Sequence, residues 1–77
     1  MKMKRLKELR LQRGLSQREL AKQSRIHRTA IAKFEKGERS PRAASLIRLA
    51  DTLQVSIDYL IDLSDDPTPY RRREDAD

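Results

Sequence analysis

Apolar side chains recur every three or four residues along most of this 77-residue chain, the spacing of one helix face rather than the alternation of a strand. The periodic stretches are short, and both glycines and the first proline fall between them. The pattern predicts an all-α fold of five helices. Leu6 and Leu9 share a stripe on a first helix from about Lys2 to Arg13, which Gly14 ends by its freedom at positive φ. Ser16 and Glu19 have the spacing of a capping box and open a second helix that carries Leu20 and Ala21 and stops near Ser24 or Arg25. A third helix, His27 to Lys36, turns Ile31 and Phe34 inward and ends at Gly37. Ser40 before Pro41 reads as the cap and first position of a fourth helix, in which Leu46, Leu49, Ala50 and Leu53 share a face. Ser56 caps a fifth helix to about Leu63.

A chain of this length is one domain and buries only about 60% of the surface its unfolded form exposes, so a second copy is an expected supplement to its core. Residues 1–63 form the predicted domain. Residues 64–77, with two prolines, a basic triplet and five acids, read as a flexible charged tail that lacks the apolar surface to order itself. The chain has no cysteine and one histidine, which removes disulfides, zinc ribbons and thiol nucleophiles and argues against a dedicated transition-metal site. No apolar run reaches the roughly 18 residues of a membrane span, and the basic start lacks the apolar stretch of a signal peptide, so no membrane association and a cytoplasmic address are expected.

Charge is divided along the chain. Residues 1–48 hold 15 Lys and Arg against 4 acids, whereas residues 49–77 hold 3 against 8. Such a basic body attracts a polyanion, nucleic acid first, and 12 Arg to 6 Lys favours bidentate contacts with phosphates and base edges.

The second and third helices, joined by a tight connection with small Ala21 in the second, have the outline of a helix-turn-helix. With Ile31 and Phe34 holding helix 3 to the core, Arg28, Thr29, Ala32 and Lys33 fall on its opposite face. Arg28 can give two parallel donors to guanine, a pairing worth about 1–3 kcal/mol of discrimination. Thr29 and Ala32 can offer methyl groups to thymine, and Lys33 suits either a guanine or a phosphate.

Three ordered blocks, L-x-x-L-R-x-x-R-G-L-S-Q-R-E-L-A from Leu6, I-H-R-T-A-I-A-K-F-E-K-G-E-R-S-P from Ile26 and L-x-x-L-A-x-x-L-x-V-S-x-D-Y-L from Leu46, resemble the lambda-repressor-like (XRE) family of prokaryotic and phage helix-turn-helix regulators. The resemblance covers about four fifths of the chain. It implies a five-helix DNA-binding domain that acts as a homodimer on a palindromic operator, with helix 3 in the major groove of double-stranded DNA. At matching positions it implies base contacts from Arg28, Thr29 and Lys33, with Ala32 on the same face, and phosphate contacts from Gln17, Arg13, Lys36, Arg39 and Arg42. It also implies a structural salt bridge between Arg10 and Glu35. The chain departs from the pattern at Ser24, commonly apolar, at Arg25, commonly Gly, and at His27, commonly a Ser or Thr cap. The turn is therefore expected either to avoid positive φ or to store modest strain, and helix 3 to start on DNA or packing rather than on its cap.

Helix 5 carries apolar residues on two stripes, Ile57, Leu60 and Ile61 on one and Tyr59 and Leu63 on the other, more than one small core uses. These five are the expected dimer interface, in a two-fold contact through helix 5 and the end of helix 4. The reading that follows is a sequence-specific transcriptional regulator, a repressor rather than an activator, working without a cofactor. The alternative is an antitoxin or other protein-interaction module that also binds its own promoter and meets its protein partner through the tail. No Ser, His and Asp set is present, so an enzyme is not expected.

Overall fold

The computed structural model describes residues 3–62 and 67–68, and among them it contains helices and no strand. The order is α1 (Lys4–Gln12), α2 (Gln17–Ser24), α3 (Arg28–Lys36), α4 (Ala43–Leu53) and α5 (Ile57–Leu60). Leu6 of α1, Leu20 of α2, Ile31 of α3 and Leu49 and Leu53 of α4 have no exposed surface. Each is worth about 1.5–3 kcal/mol of burial, so the first four helices share one centre. α2 packs on α3 and α4, and α1 packs on α3 and α5.

The helix ends follow local chemistry. Arg13 caps α1 and Gly14 follows at φ 68. A Cβ on Gly14 would meet nothing within 4 Å, so the backbone angle alone makes glycine the favoured residue there. Ser16 and Glu19 form the capping box in both directions, with the Glu19 N–H donating to the Ser16 hydroxyl at 3.0 Å and the Ser16 N–H donating to the carboxylate at 2.9 Å. The Ser16 backbone donor, and behind it the Ser16 hydroxyl, hold the Glu19 carboxyl below its ordinary value of 4.5.

Two expected boundaries are corrected. α4 starts at Ala43 with Arg42 as an extended cap that makes no side-chain hydrogen bond, not at Ser40 and Pro41. Pro41 is buried, so its ring serves the core and the chain runs extended past it before turning helical. α5 is four residues long rather than reaching Leu63, because Asp62 takes φ 71 and its N–H returns to the Tyr59 carbonyl.

The expected interface on α5 changes accordingly. Leu60 is 1% exposed and belongs to the monomer's own core, so it is not available to a second copy. Ile57, Tyr59 and Ile61 are half-buried, and Leu63 lies outside the described residues. One face of the Tyr59 ring is covered within the chain: the Arg5 guanidinium stands 4.1 Å over it, donates to the Tyr59 carbonyl at 3.0 Å and pairs with Asp62 at 3.2 Å. The apolar surface left over includes Ile47 of α4, 57% exposed. Its position beside Leu46, off the inward stripe, is legible in the sequence, although the expected contact takes in only the end of helix 4 and Ile47 lies in its first half. Of the expected tail, Pro67 and Thr68 are described, and the Ser56 N–H donates to the Pro67 carbonyl at 3.0 Å. The rest of that segment, and with it the expected protein-partner site, lies outside the described residues.

Candidate nucleic-acid interface

At 3.6 residues per turn, successive side chains on α3 are about 100° apart. Arg28, Ala32, Lys36, Thr29 and Lys33 then fall within an arc of about 140°, and Ala30, Phe34, Ile31 and Glu35 fill the opposite one. Burial follows that division. Ile31 is 0% and Phe34 3% exposed, while Arg28, Thr29, Lys33 and Lys36 are exposed and Ala32 is half-buried. One face of α3 is therefore held in the core and the other presents three cations, a hydroxyl and two kinds of methyl-bearing side chain. Arg39 and Arg42 follow it in the loop to α4, and both are exposed.

α3 is aimed by the turn before it. The N–H groups of Arg25 and Ile26 both donate to the Ala21 carbonyl, and Ile26 is buried. Arg25 occupies the left-handed region at φ 59 and ψ 36, so the turn keeps positive φ and accepts the strain of a side chain there. Ser24, where an apolar residue was expected, is buried with its hydroxyl donating to the Leu20 carbonyl at 2.7 Å, which lets a polar residue fill a core position. His27 corrects an expectation. Its Nδ1 accepts from the Thr29 N–H at 3.2 Å, so the imidazole itself caps α3.

A second network fixes the opposite side of the motif. The Arg10 Nε donates to Glu35 Oε2 at 2.7 Å and Nη2 donates to Oε1 at 3.1 Å, while Nη1 donates to the Leu15 carbonyl at 2.9 Å. Gln17, the first residue of α2, donates from Nε2 to the same Glu35 Oε1 at 3.1 Å. An amide nitrogen has two protons, so Gln17 is oriented by Glu35 and keeps one donor for another acceptor. The sequence pattern contained Arg10 and Glu35 but had no signal for Gln17 joining them. Arg13 also has a role that spacing did not suggest: its Nη2 donates to the Leu53 carbonyl at 2.8 Å and satisfies the end of α4, which leaves the exposed guanidinium other donors.

Among the described residues there is no group of three or more His, Cys, Asp and Glu that could hold a metal. No helix among them is long and apolar enough to cross a membrane.

Residues 6–60 match the HTH_3 family model, described as helix-turn-helix. Three curated relatives from Bacillus subtilis (strain 168) are similar to the chain. The uncharacterized HTH-type transcriptional regulator YobD is 33% identical over 91% of this chain and 62% of its own length. The uncharacterized HTH-type transcriptional regulator YqaE is 39% identical over 73% of this chain and 48% of its own, and the HTH-type transcriptional regulator ImmR is 36% identical over 75% and 46%. The chain thus spans about half the length of the curated relatives it matches. Among solved structures, the P22 c2 repressor in complex with a synthetic operator superposes with a TM-score of 0.77 at 29% identity, over 83% of this chain and 98% of that one.

Proposed function

The chain belongs to the XRE-type helix-turn-helix family with a lambda-repressor-like fold, and on that basis we propose that it binds double-stranded DNA as a sequence-specific transcriptional repressor. The observation that carries the reading is the division of α3 into a core face and an exposed face of Arg28, Thr29, Ala32, Lys33 and Lys36. An α-helix fits the major groove, and these side chains have the reach and donors for its base edges. Arg28 reads guanine through two parallel donors, Thr29 and Ala32 meet thymine methyl groups, and Lys33 meets a guanine or a phosphate. Gln17, Lys36, Arg39 and Arg42 hold the phosphate backbone, with Gln17 oriented by Glu35 for that contact. Two copies meet through α4 and α5, which sets two α3 helices about 34 Å apart on a two-fold operator. The P22 c2 repressor structure, with its operator DNA, supports the docking mode by similarity.

The test is selection of bound duplexes from a random pool, followed by affinity measurements on the selected and scrambled sequences. Arg28→Ala should bring the two affinities together by about 1–3 kcal/mol with little change in salt dependence. Arg39→Ala should weaken both and reduce the salt slope by about 0.9. If Arg28→Ala lowers both affinities equally, Arg28 does not read bases.

A further inference from the structure

We propose that His27 is a positioning residue for Arg28 and Thr29, and that its neutral form is the one in which α3 reads sequence; this rests on the base-facing role given to those two residues above. The geometry starts from the cap. Nδ1 of His27 accepts from the Thr29 N–H at 3.2 Å, so that nitrogen carries no proton and the neutral ring holds its proton on Nε2. The bond closes the first turn of α3, the turn that carries Arg28 and Thr29. α2 and α5 are capped by the hydroxyls of Ser16 and Ser56, which remain acceptors at any ordinary pH. Of these three side-chain caps only that of α3 is removed by a proton, because an imidazolium has no acceptor.

The charged residues next to the ring in sequence are cationic. Arg25 lies two residues before it and Arg28 one after. α1 and α2, which pack on α3, bring Lys4, Arg5, Lys7, Glu8 and Arg10, and Arg18, Glu19 and Lys22. Glu19 is bound to Ser16 at the far end of α2, and Arg10 is bound to Glu35. Glu35 itself is eight residues along α3 from His27, about 12 Å by helical rise. On α4, Asp51 and Arg48 line a cleft together with Arg25. A proton on His27 thus loses the cap and adds a cation at the positive end of the helix.

Protonation then acts in opposite directions on two kinds of binding. An added cation strengthens association with any duplex, whatever its sequence. Loosening the turn that holds Arg28 and Thr29 weakens only the reading of bases. The preference for operator over random DNA falls when the ring takes up a proton, while affinity for random DNA holds or rises.

The experiment measures affinity of the full chain for a selected duplex and for a scrambled one over a series of falling pH at fixed ionic strength, with His27→Asn and His27→Ala alongside. Asn keeps a side-chain acceptor at the cap and does not titrate. The unaltered chain should lose about fivefold in its selected-to-scrambled ratio toward acid, the factor for one lost N-cap. His27→Asn should hold the ratio level, and His27→Ala should show the lower ratio throughout. Since His27 is the only histidine, its ring resonance and the Thr29 amide should shift together as acid is added to the free protein. Identical pH profiles for the unaltered chain and His27→Asn overturn the proposal, as does a parallel rise of both affinities toward acid, which marks His27 as a phosphate-facing cation only. A chain that prefers no selected duplex at any pH overturns instead the base-reading premise, and the Thr29 amide then decides the cap by itself.

Discussion

Arg10 grips both carboxylate oxygens of Glu35, from Nε at 2.7 Å and Nη2 at 3.1 Å, with the two side chains 9% and 5% exposed. The pair ties α1 to α3, and Gln17 adds α2 through the same carboxylate. No buried side-chain polar atom among the described residues lacks a partner, so the network is complete as it stands. Taking two charges out of water roughly offsets their attraction, but taking away one partner strands the other. Arg10→Met should therefore cost about 3–5 kcal/mol in denaturant unfolding, whereas Arg10→Met with Glu35→Leu should recover most of that loss. A single substitution that costs less than about 1 kcal/mol would show the pair to be solvated after all.

The turn between α2 and α3 stores strain at Arg25, whose φ of 59 crowds Cβ against the following carbonyl. Arg25→Gly should stabilise the chain by about 1 kcal/mol, which for a domain of this size is a Tm rise of about 4–8 °C. Arg25→Ala keeps the Cβ and should give no such gain. Gly14→Ala is the converse case: with open space around the site and φ at 68, its loss of about 1 kcal/mol would come from backbone angle alone. Thermal melts of the three variants check the set, and equal Tm values for Arg25→Gly and Arg25→Ala would place the strain elsewhere.

At the start of α2 the Glu19 carboxyl is held below its ordinary value, first by the Ser16 N–H and then by the Ser16 hydroxyl. A carboxyl lowered by folding binds its proton less readily in the folded chain than in the unfolded one. Its contribution to stability is therefore complete above the ordinary value of 4.5 and is lost as pH falls through the lowered folded value. Denaturant unfolding across that acid range should show a smaller pH dependence for Glu19→Gln than for the unaltered chain. Equal slopes in the two would show that the carboxylate half of the capping box does not stabilise α2.

What was legible in the sequence divides by the range of the interaction. Helix periodicity, the Ser16 and Glu19 box and the glycine stops depend on residues within four positions, so α1, α2 and α3 could be read from spacing. Pro41 misled because its local signal, a helix start, competes with burial of its ring, which only the packed core decides. The expected α5 is too long because the apolar residues continue past Leu60, while the chain turns at Asp62, whose φ of 71 and pairing with the distant Arg5 leave no trace in local spacing. In the interface, the exposed face of α3 follows from angular arithmetic, since Ile31 and Phe34 fix which side is inward. Arg13 on the Leu53 carbonyl and Gln17 on Glu35 span 40 and 18 positions, and spacing contains no record of them.

Ile47 and Leu60 separate self-association from folding. Ile47 is 57% exposed on α4, which packs on α5, whereas Leu60 is 1% exposed and fully within the core. An interface between copies must use surface the monomer leaves open, which on α4 and α5 is Ile47 with the half-buried Ile57, Tyr59 and Ile61, while Leu11 of α1 is as exposed as Ile47. In a two-fold contact each substitution counts twice, once from each copy. Ile47→Glu should therefore shift sedimentation toward the monomer while changing unfolding free energy by no more than about 0.5 kcal/mol. Leu60→Ala should do the reverse, with a loss of about 2–5 kcal/mol in stability, because it opens a cavity in the core. Ile47→Glu with undiminished self-association would move the contact off this face, and the proposed placement of two α3 helices on one operator would need another two-fold axis.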